Sequence, residues 1–412
     1  MTASPARGSV RRPGARRRLV VPAAACAALA SLVAACGAAP SASTATPSQE
    51  ASSAAAAASA SAAPTDSSAA NSAQGGSASP SATASTTAST AAAAFKACMV
   101  LDVGGVDDRS FNQSAWAGMN AAKAANPALA VSYVSSGSQN DYVPNLTNET
   151  KQACKTTIAV GGLMTDAVTA TAKANATANY AIIDSKIPAA NVYSLEFNTA
   201  QGGFLGGYLA AGMSKTGKVG TFGGLKIPPV TVYMDGFWEG VQYYNTAKGK
   251  DVKVLGWDET TQNGTFSNSF TDSGAGSTAA RTLQQQGADI VFPVAGGSGL
   301  GAGAVAKSSG GKLNLIWVDT DGCVSAAQYC SYFVSTVYKD ITGAVQTYLG
   351  QATKGTRTGE YVGTLANKGT GLSPFHEFDS KVPADLKAEL TKLSTDIAAG
   401  TVKVTSKAQP AG

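Results

Sequence analysis

The sequence contains a single histidine, His376, among its 412 residues. A Ser-His-Asp or Cys-His catalytic site and a His-rich metal site all depend on this side chain. Its scarcity therefore argues against a hydrolase or a metalloprotein of these kinds.

The sequence also lacks any basic run beyond its first 36 residues. It has 31 Lys+Arg against 26 Asp+Glu, a formal net charge of +5. Six arginines precede residue 36, where no acidic residue occurs, and without them 25 bases remain against 26 acids. They are Arg7, Arg11, Arg12, Arg16, Arg17 and Arg18. A polyanion-binding protein needs a basic face, so nucleic acid is not expected as a partner.

Residues 1–35 have the pattern of an export signal. After the arginines comes an apolar run from Leu19 to Val33, which is short and rich in alanine for a membrane span. The residues VAACG that follow it, at positions 33–37, resemble a bacterial lipobox. Cleavage there would leave Cys36 as the first residue, carrying the lipid chains of a stable anchor. An ordinary secretory signal is the alternative.

Residues 37–94 contain no valine, leucine, isoleucine or aromatic side chain, and their only charges are Glu50 and Asp66. Such a segment cannot bury enough apolar surface to offset the entropy of an ordered chain. Residues 36–94 are therefore predicted to be the lipidated cysteine and a disordered linker, and the Ser/Thr density would permit O-glycosylation.

Four further cysteines occur in the remaining chain: Cys98, Cys154, Cys323 and Cys330. An even number in an exported protein indicates two disulfides. The close spacing of the last two favours a Cys323–Cys330 clip, which leaves Cys98 to pair with Cys154. The other two connectivities remain open, as does a zinc site, although no histidine or CxxC spacing supports zinc.

From Phe95 onward, short apolar runs alternate with segments of helical pattern. The first run ends at Gly104-Gly105, and Ser110 or Asn112 can cap the helix that follows. Further strands are predicted at residues 131–134, 157–160, 180–183, 192–195, 219–222, 252–257, 290–294, 313–318 and 332–337. Helices are predicted at residues 201–214, 232–244, 277–286, 299–307 and 340–350.

This alternation predicts an α/β fold with parallel sheets. About ten strands exceed what one sheet usually carries, so we expect a domain at 95–412 with two doubly wound lobes. The first lobe is placed at about 95–205 plus 322–345. The second is placed at about 206–321 plus 346–412.

Polar or glycine residues follow four of the predicted strands, where ligands of open α/β sheets bind. They are Asp102 with Gly104-Gly105, Asp184-Ser185, Gly296-Gly297 and Asp319-Thr320-Asp321. Each aspartate alone could be a helix cap or a turn former. Their recurrence at the same topological place favours one cleft between the two lobes.

Residues 102–118, DVGGVDDRSFNQSAWAG, closely resemble the signature segment of the basic membrane protein family. These are purine-nucleoside-receptor-type substrate-binding lipoproteins of ABC importers. Further segments resemble the family in the same order, at residues 161–167, 180–184, 204–211, 214–220, 223–228, 236–241, 295–301 and 334–340. The resemblance implies a fold like that of type I periplasmic binding proteins, with two Rossmann-like lobes closing over a nucleoside.

The resemblance also implies how the base would be bound. Phe111 would stack on one face of it, and an aromatic from residues 266–270, preferably Phe270, would cover the other. Asp102 would accept a hydrogen bond from a base N–H, and Asn112 belongs to the same set. Phe111 and Phe270 could instead be core residues, and Tyr233 could be a further pocket aromatic.

The remaining implied ligand-binding residues serve the sugar. Asp184 and Asp319 would accept from ribose hydroxyls, and Lys339 would donate to a ribose oxygen or pair with one of these acids. The glycines at Gly296-Gly297, with Gly297 in the ligand-binding set, would let backbone amides approach the ligand. Lys339 could instead be a surface residue.

The expected function is therefore that of a receptor anchored by lipid at the extracytoplasmic face of the cell membrane. It would be a monomer without cofactor, metal or catalytic residue that delivers a nucleoside to ABC permease subunits. The alternatives are a receptor for a sugar or another small polar solute, a sensor without an importer, and a nucleoside-processing enzyme using Asp102 and Asp184 as a carboxylate pair.

Overall fold

A computed structural model describes residues 95–410 of the protein. The predicted export signal, the lipidation of Cys36 and the linker lie outside the described residues. Within the described range, no helix combines the length and apolarity that crossing a membrane requires.

The first of two six-stranded sheets is entirely parallel, in the order β13-β5-β4-β3-β1-β2. Its four inner strands are mostly buried and apolar because helices cover both faces, whereas its two edge strands are partly exposed. They are β1 (Phe95–Leu101), β2 (Leu129–Ser135), β3 (Thr156–Val160), β4 (Tyr180–Ile183), β5 (Val192–Phe197) and β13 (Gly359–Gly363).

The second sheet repeats this arrangement in the order β14-β12-β11-β10-β6-β7, and only β14 is antiparallel. Its strands are β6 (Lys218–Gly223), β7 (Lys253–Leu255), β10 (Ile290–Val294), β11 (Asn314–Asp319), β12 (Phe333–Lys339) and β14 (Thr370–Leu372). A separate hairpin joins β8 (Trp257–Asp258) to β9 (Asn263–Gly264).

The helices follow the strands in both halves of the chain. They are α1 (Phe111–Ala125), α2 (Tyr142–Lys151), α3 (Thr165–Ala174), α4 (Thr199–Met213), α5 (Pro228–Lys248), α6 (Ser273–Gln285), α7 (Leu300–Ser308), α8 (Gly322–Ser325), α9 (Ile341–Ala352) and α10 (Ala384–Ala398). The prediction of a two-lobed α/β fold with parallel sheets is confirmed. Helices α2, α3, α8 and α10 and the strands β9, β13 and β14 are absent from the prediction.

The first five strands of each sheet in chain order are parallel and have the same spatial order, second-first-third-fourth-fifth. In this order the first and third strands are neighbours whose connections leave toward opposite sides. The carboxyl ends of such a pair form the crevice in which open α/β sheets bind ligands. In the first lobe this pair is β1 and β3, and in the second it is β6 and β10.

Three chain segments cross between the lobes, and all three differ from the predicted boundaries. Helix α4 packs on the second sheet from its start at Thr199, so the first crossing comes before residue 205. Strand β12 pairs in parallel with β11, which places residues 333–339 in the second lobe, not the first. Helix α9 then packs on α1 and β13 pairs with β5, so the first lobe extends to residue 363, and residues 346–363 belong to it, not to the second lobe.

Helices α4 and α5 lie in backbone contact, and this positions the start of α5 at the cleft. A Cβ on Gly207 would lie 2.0 Å from the carbonyl oxygen of Phe237, and one on Gly240 would lie 2.0 Å from that of Phe204. Only glycine permits such an approach.

The four cysteines pair as expected. Cys98 is bonded to Cys154 and Cys323 to Cys330, with Cα–Cα distances of 5.8 and 4.5 Å. The first bridge fastens β1 to the segment before β3, and the second closes the short loop around α8.

Candidate functional site

A cleft between the two lobes brings together seven of the eight predicted ligand-binding residues. Its empty volume is about 570 Å³, which includes space open to solvent. The seven residues are Asp102, Phe111, Asn112, Asp184, Phe270, Asp319 and Lys339.

Gly297 is the predicted residue that does not line the cleft; its neighbour Gly296 does. Gly296 has a φ of 53°, in the left-handed region that favours glycine. Gly297 lies beneath the cleft wall, where a Cβ would be 3.2 Å from the carbonyl oxygen of Phe270. The turn 296–299 therefore presents its first glycine, not its second.

Asp102 follows β1 and is almost fully buried. Its Oδ1 accepts from the Asn112 side-chain amide at 2.8 Å and from the Gly104 backbone N–H at 3.1 Å. Burial raises the pKa of this carboxyl, and the Asn112 amide opposes that shift. Its Oδ2 faces Gly161, whose φ is 117° and where a Cβ would lie 2.7 Å from that oxygen. This second oxygen has no hydrogen-bond partner among the described residues.

Asp108 is a cleft residue that the sequence prediction missed. Its carboxylate accepts from the backbone N–H groups of Ser110, Asn112 and Gln113 at 3.0, 2.8 and 3.1 Å. It thereby satisfies the free N–H groups at the start of α1. Burial raises the pKa of Asp108 to about 7, although these hydrogen bonds favour the charged form. Asp108 therefore caps α1, not Ser110 or Asn112 as predicted, since the Ser110 side chain makes no cap hydrogen bond and Asn112 lies inside the helix. An acid two residues before the predicted cap was the available signal in the sequence.

Phe111 and Phe270 are both half-buried and line the cleft from different lobes. Phe111 begins α1, and Phe270 lies in the loop before α6. A Cβ on Gly224 would lie 2.4 Å from the Phe270 ring, so this glycine makes room for the ring at the end of β6. Phe266 packs instead on Trp257, with ring centroids 6.0 Å apart, and does not line the cleft.

Lys339 and Asp184 form a buried ion pair across the lobes. Lys339 ends β12 in the second lobe, and Asp184 follows β4 in the first, with the Nζ 2.7 Å from Oδ2. Their side chains are only 3% and 8% exposed. Burial raises the pKa of Asp184, and the ammonium group of Lys339 opposes the shift. The same ammonium lies 4.5 Å from the centre of the Phe111 ring.

Asp319 ends β11 and is held from both lobes. Tyr233 of α5 donates its hydroxyl to Oδ1 at 2.8 Å, and Ser110 of the first lobe donates to Oδ2 at 2.7 Å. The Lys339 Nζ is 3.7 Å from Oδ1. Tyr233 is thus both core and cleft residue. Its pKa is raised well above the usual value by burial and by the charge of Asp319.

The lining is strongly acidic for a site of this size. It contains the four carboxyl groups of Asp102, Asp108, Asp184 and Asp319 against the single ammonium of Lys339. Apolar side chains from both lobes, including Leu163, Ile227 and Val230, fill the rest of the wall. The site therefore offers hydrogen-bond acceptors and flat apolar surface and suits a ligand rich in donors.

Residues 95–398 match a family model described as ABC transporter substrate-binding protein PnrA-like. The chain belongs to this family. It is therefore an extracytoplasmic substrate-binding protein of an ABC transporter, a solute-binding protein and not an enzyme, and its partners are permease components. The resemblance inferred from residues 102–118 is confirmed.

Relatives of known name match most of the chain. The ABC transporter nucleoside-binding protein BmpA of Lactococcus lactis is 30% identical over 332 residues, covering 76% of this chain and 89% of that protein. Basic membrane protein A of Borreliella burgdorferi is 31% identical over 310 residues, covering 73% and 85%.

Solved structures show the same fold. An ABC transporter solute-binding protein from Aeropyrum pernix K1 superposes with a TM-score of 0.67 at 24% identity, covering 75% of this chain and 92% of that one. One from Conexibacter woesei gives a TM-score of 0.58 at 21% identity, covering 76% and 99%.

Proposed function

We propose that the inter-lobe cleft binds a purine nucleoside, which the protein delivers to its permease. The observation that carries the proposal is the pairing of two phenyl rings with buried carboxylates in one cleft. A nucleoside has a flat base and a sugar rich in hydroxyl groups, which match these two kinds of surface.

The base is assigned to the part of the cleft between Phe111 and Phe270. Offset stacking on two rings from opposite lobes would bind a flat heterocycle only after the lobes approach each other. The free Oδ2 of Asp102, ionised, accepts hydrogen bonds and therefore favours a base edge that carries N–H groups. The turn at Gly161 leaves space in front of this oxygen.

The ribose is assigned to Asp184, Asp319 and Lys339. Each carboxylate already accepts from protein donors, but a carboxylate oxygen can take a second hydrogen bond. The ammonium of Lys339 has further N–H groups and balances part of the acidic charge. These three residues would therefore share their hydrogen bonds with the sugar hydroxyls without being left unpaired in a buried site.

Binding is coupled to closure of the lobes about the three crossing segments. The ligand would contact residues of both lobes only in the closed state, so it favours that state by its differential affinity. The crossings at 198, 340 and 364–369 are the hinge positions in this scheme. A closed, loaded receptor would then be distinguishable by the permease from an open, empty one.

Anchoring through Cys36 and the linker at 37–94 completes the proposal. A lipidated cysteine followed by a long polar tether would keep the receptor near the permease and raise its local concentration there. Replacing Cys36→Ala is expected to move the protein from the membrane fraction to the medium. Retention in the membrane fraction would contradict lipid anchoring.

Calorimetric titration of the full chain tests the ligand assignment. Inosine should bind with the release of heat and a single site per chain, whereas free ribose should bind far more weakly because it lacks the stacking base. Inosine monophosphate should also bind weakly, since its phosphate would enter a cleft with four carboxyl groups and one lysine. Equal affinity for ribose and inosine would favour a sugar receptor. Release of free base from inosine would indicate an enzyme.

A further inference from the structure

Ser110 links the two lobes without lining the cleft. It is fully buried at the start of α1 in the first lobe, and its hydroxyl lies 2.7 Å from Oδ2 of Asp319 at the end of β11 in the second. It is not among the residues that surround the cavity. This contact is therefore a direct connection between lobes that a ligand in the cleft would not replace.

The hydroxyl of Ser110 is placed by its own lobe. Its backbone N–H donates to the Asp108 carboxylate at 3.0 Å, and its carbonyl oxygen accepts from the Ser114 hydroxyl at 2.7 Å. These two bonds fix the backbone on both sides of the side chain. The position of the Ser110 hydroxyl is therefore set by the first lobe and does not depend on the position of the second lobe.

The acceptor is placed equally firmly by the second lobe. Tyr233 of α5 donates to Oδ1 of Asp319 at 2.8 Å, which leaves Oδ2 directed at Ser110. Tyr233 and Asp319 belong to the same lobe, so their bond does not depend on closure. The bond from Ser110 forms only when the lobes meet.

We propose that Ser110 is a positioning residue that stabilises the closed state of the receptor through Asp319, without touching the ligand. The inference rests on the proposed binding in the cleft and adds an element that slows ligand release. A bond made only after closure cannot assist the first encounter with the ligand. Its loss should therefore appear in the dissociation rate and not in the association rate.

The test compares Ser110→Ala with the wild-type full chain, with radiolabelled inosine as the probe. Because hydrogen bonds to charged groups are strong, dissociation should become roughly 10-fold faster or more, with association changed by less than about twofold. Ser194→Ala is the matched control, since it removes a buried serine hydroxyl of β5 that accepts from the Ile187 backbone N–H within the first lobe and does not contact Ser110 or Asp319. This control should leave both rates near the wild-type values.

A spectroscopic measurement separates closure from a general loss of stability. Fluorophores on non-canonical residues at the exposed positions Lys173 and Lys307 report the distance between the lobes. Ser110→Ala should lower the closed fraction at saturating inosine, whereas Ser194→Ala should not. If Ser110→Ala does not fold, Ser110→Gly removes the same hydroxyl and suits the φ of −152° and ψ of −107° at this position.

Each outcome is decisive. Wild-type dissociation rate and closed fraction in the Ser110 variant would overturn the proposal, as would slower association with unchanged dissociation. If wild-type protein does not bind inosine, the nucleoside assignment fails. The inter-lobe distance without ligand then tests the role of the Ser110–Asp319 hydrogen bond in closure. In that case a Ser110 variant with the same distance distribution as wild type would overturn it.

Discussion

Asp184 and Asp319 occupy the same place in the two lobes and have the same unusual backbone. Asp184 follows β4 and Asp319 ends β11, the fourth strand of each doubly wound sheet, with φ values of 67° and 65°. A left-handed φ outside glycine costs on the order of 1 kcal/mol or more and persists where surrounding structure enforces it. Both carboxylates converge on Lys339, at 2.7 and 3.7 Å. The repeated strain thus brings two acids, one from each lobe, to a single cation.

A double-mutant cycle tests this buried ion pair. Removing one partner leaves a buried charge uncompensated, so Lys339→Met is expected to lower the free energy of unfolding by about 2–4 kcal/mol. Adding Asp184→Asn to that variant should restore part of the loss, because the uncompensated carboxylate is then removed. Urea unfolding of the wild type, both single variants and the double variant gives the coupling energy. Strictly additive single effects would show that the pair is not energetically linked.

Phe270 and Phe266 provide a matched pair for the stacking assignment. Phe270→Ala should weaken inosine binding by roughly 1 kcal/mol or more, because a stacked partner of the base is lost. Phe266→Ala should leave affinity nearly unchanged, since this ring packs on Trp257 outside the cleft, and should instead lower the melting temperature. Calorimetry and thermal unfolding measure the two effects. If Phe266→Ala weakened inosine binding and Phe270→Ala did not, the stacking assignment would be contradicted.

Asp102 and Asp107 provide a second matched comparison, since Asp102 is buried in the cleft and Asp107 is exposed. Asp102→Asn puts an amide where a base N–H needs an acceptor or disturbs the bond from Asn112, so inosine affinity should fall roughly 10- to 100-fold. Asp107→Asn changes the same charge five residues away and should have little effect. Equal losses in both variants would indicate a general electrostatic effect in place of a specific contact.

Much of this site was accessible from the sequence because the residues that end parallel strands share one edge. This rule predicts Asp102, Asp184 and Asp319, and the resemblance to the family predicts the second aromatic. The sequence predicts Ser110 only as a helix cap. Its hydrogen bond to Asp319, 209 positions away, leaves no local signal in the sequence. Asp108 is missing from the prediction because it serves the turn before α1. Tyr233 is predicted only as an alternative pocket residue, because a core side chain and a cleft side chain share one helical pattern.

The boundaries between the lobes are harder to predict from the sequence than the strands themselves. Alternating apolar runs reveal the strands, but they do not state which sheet a strand joins. Strand β12 was assigned to the first lobe, whereas it pairs with β11, and α9 returns to pack on α1. Such choices depend on pairing between distant segments, which periodicity alone does not encode.

Glu196 gives the protein a predictable dependence of stability on pH. It lies on β5 beside Glu360 of β13, which pairs with Lys186 at 2.8 Å, and Asp184 is a further nearby acid. Burial, and then the neighbouring Glu360, raise the pKa of Glu196 from 4.5 to about 7. The folded state therefore holds this proton to higher pH than the unfolded chain. The associated stability is complete below about pH 4.5 and is lost as the pH rises through about 7.

Replacing Glu196→Gln should remove this dependence, because glutamine mimics the protonated side chain. The variant should equal the wild type near pH 4 and exceed its free energy of unfolding by on the order of 1 kcal/mol at pH 8. Glu377→Gln, at an exposed position, is the control and should leave the profile unchanged. Parallel profiles for Glu196→Gln and wild type would contradict the assignment. Urea unfolding at stepwise pH supplies the data.

Native mass spectrometry of the full chain, purified without denaturation, tests the central claim most directly. If the cleft is a nucleoside site, a fraction of the molecules should carry one additional mass equal to that of a purine nucleoside. Phe111→Ala protein prepared in parallel should lose that addition. A bound mass equal to a free sugar, or a nucleoside mass that persists equally in the Phe111 variant, would contradict a purine nucleoside held between Phe111 and Phe270.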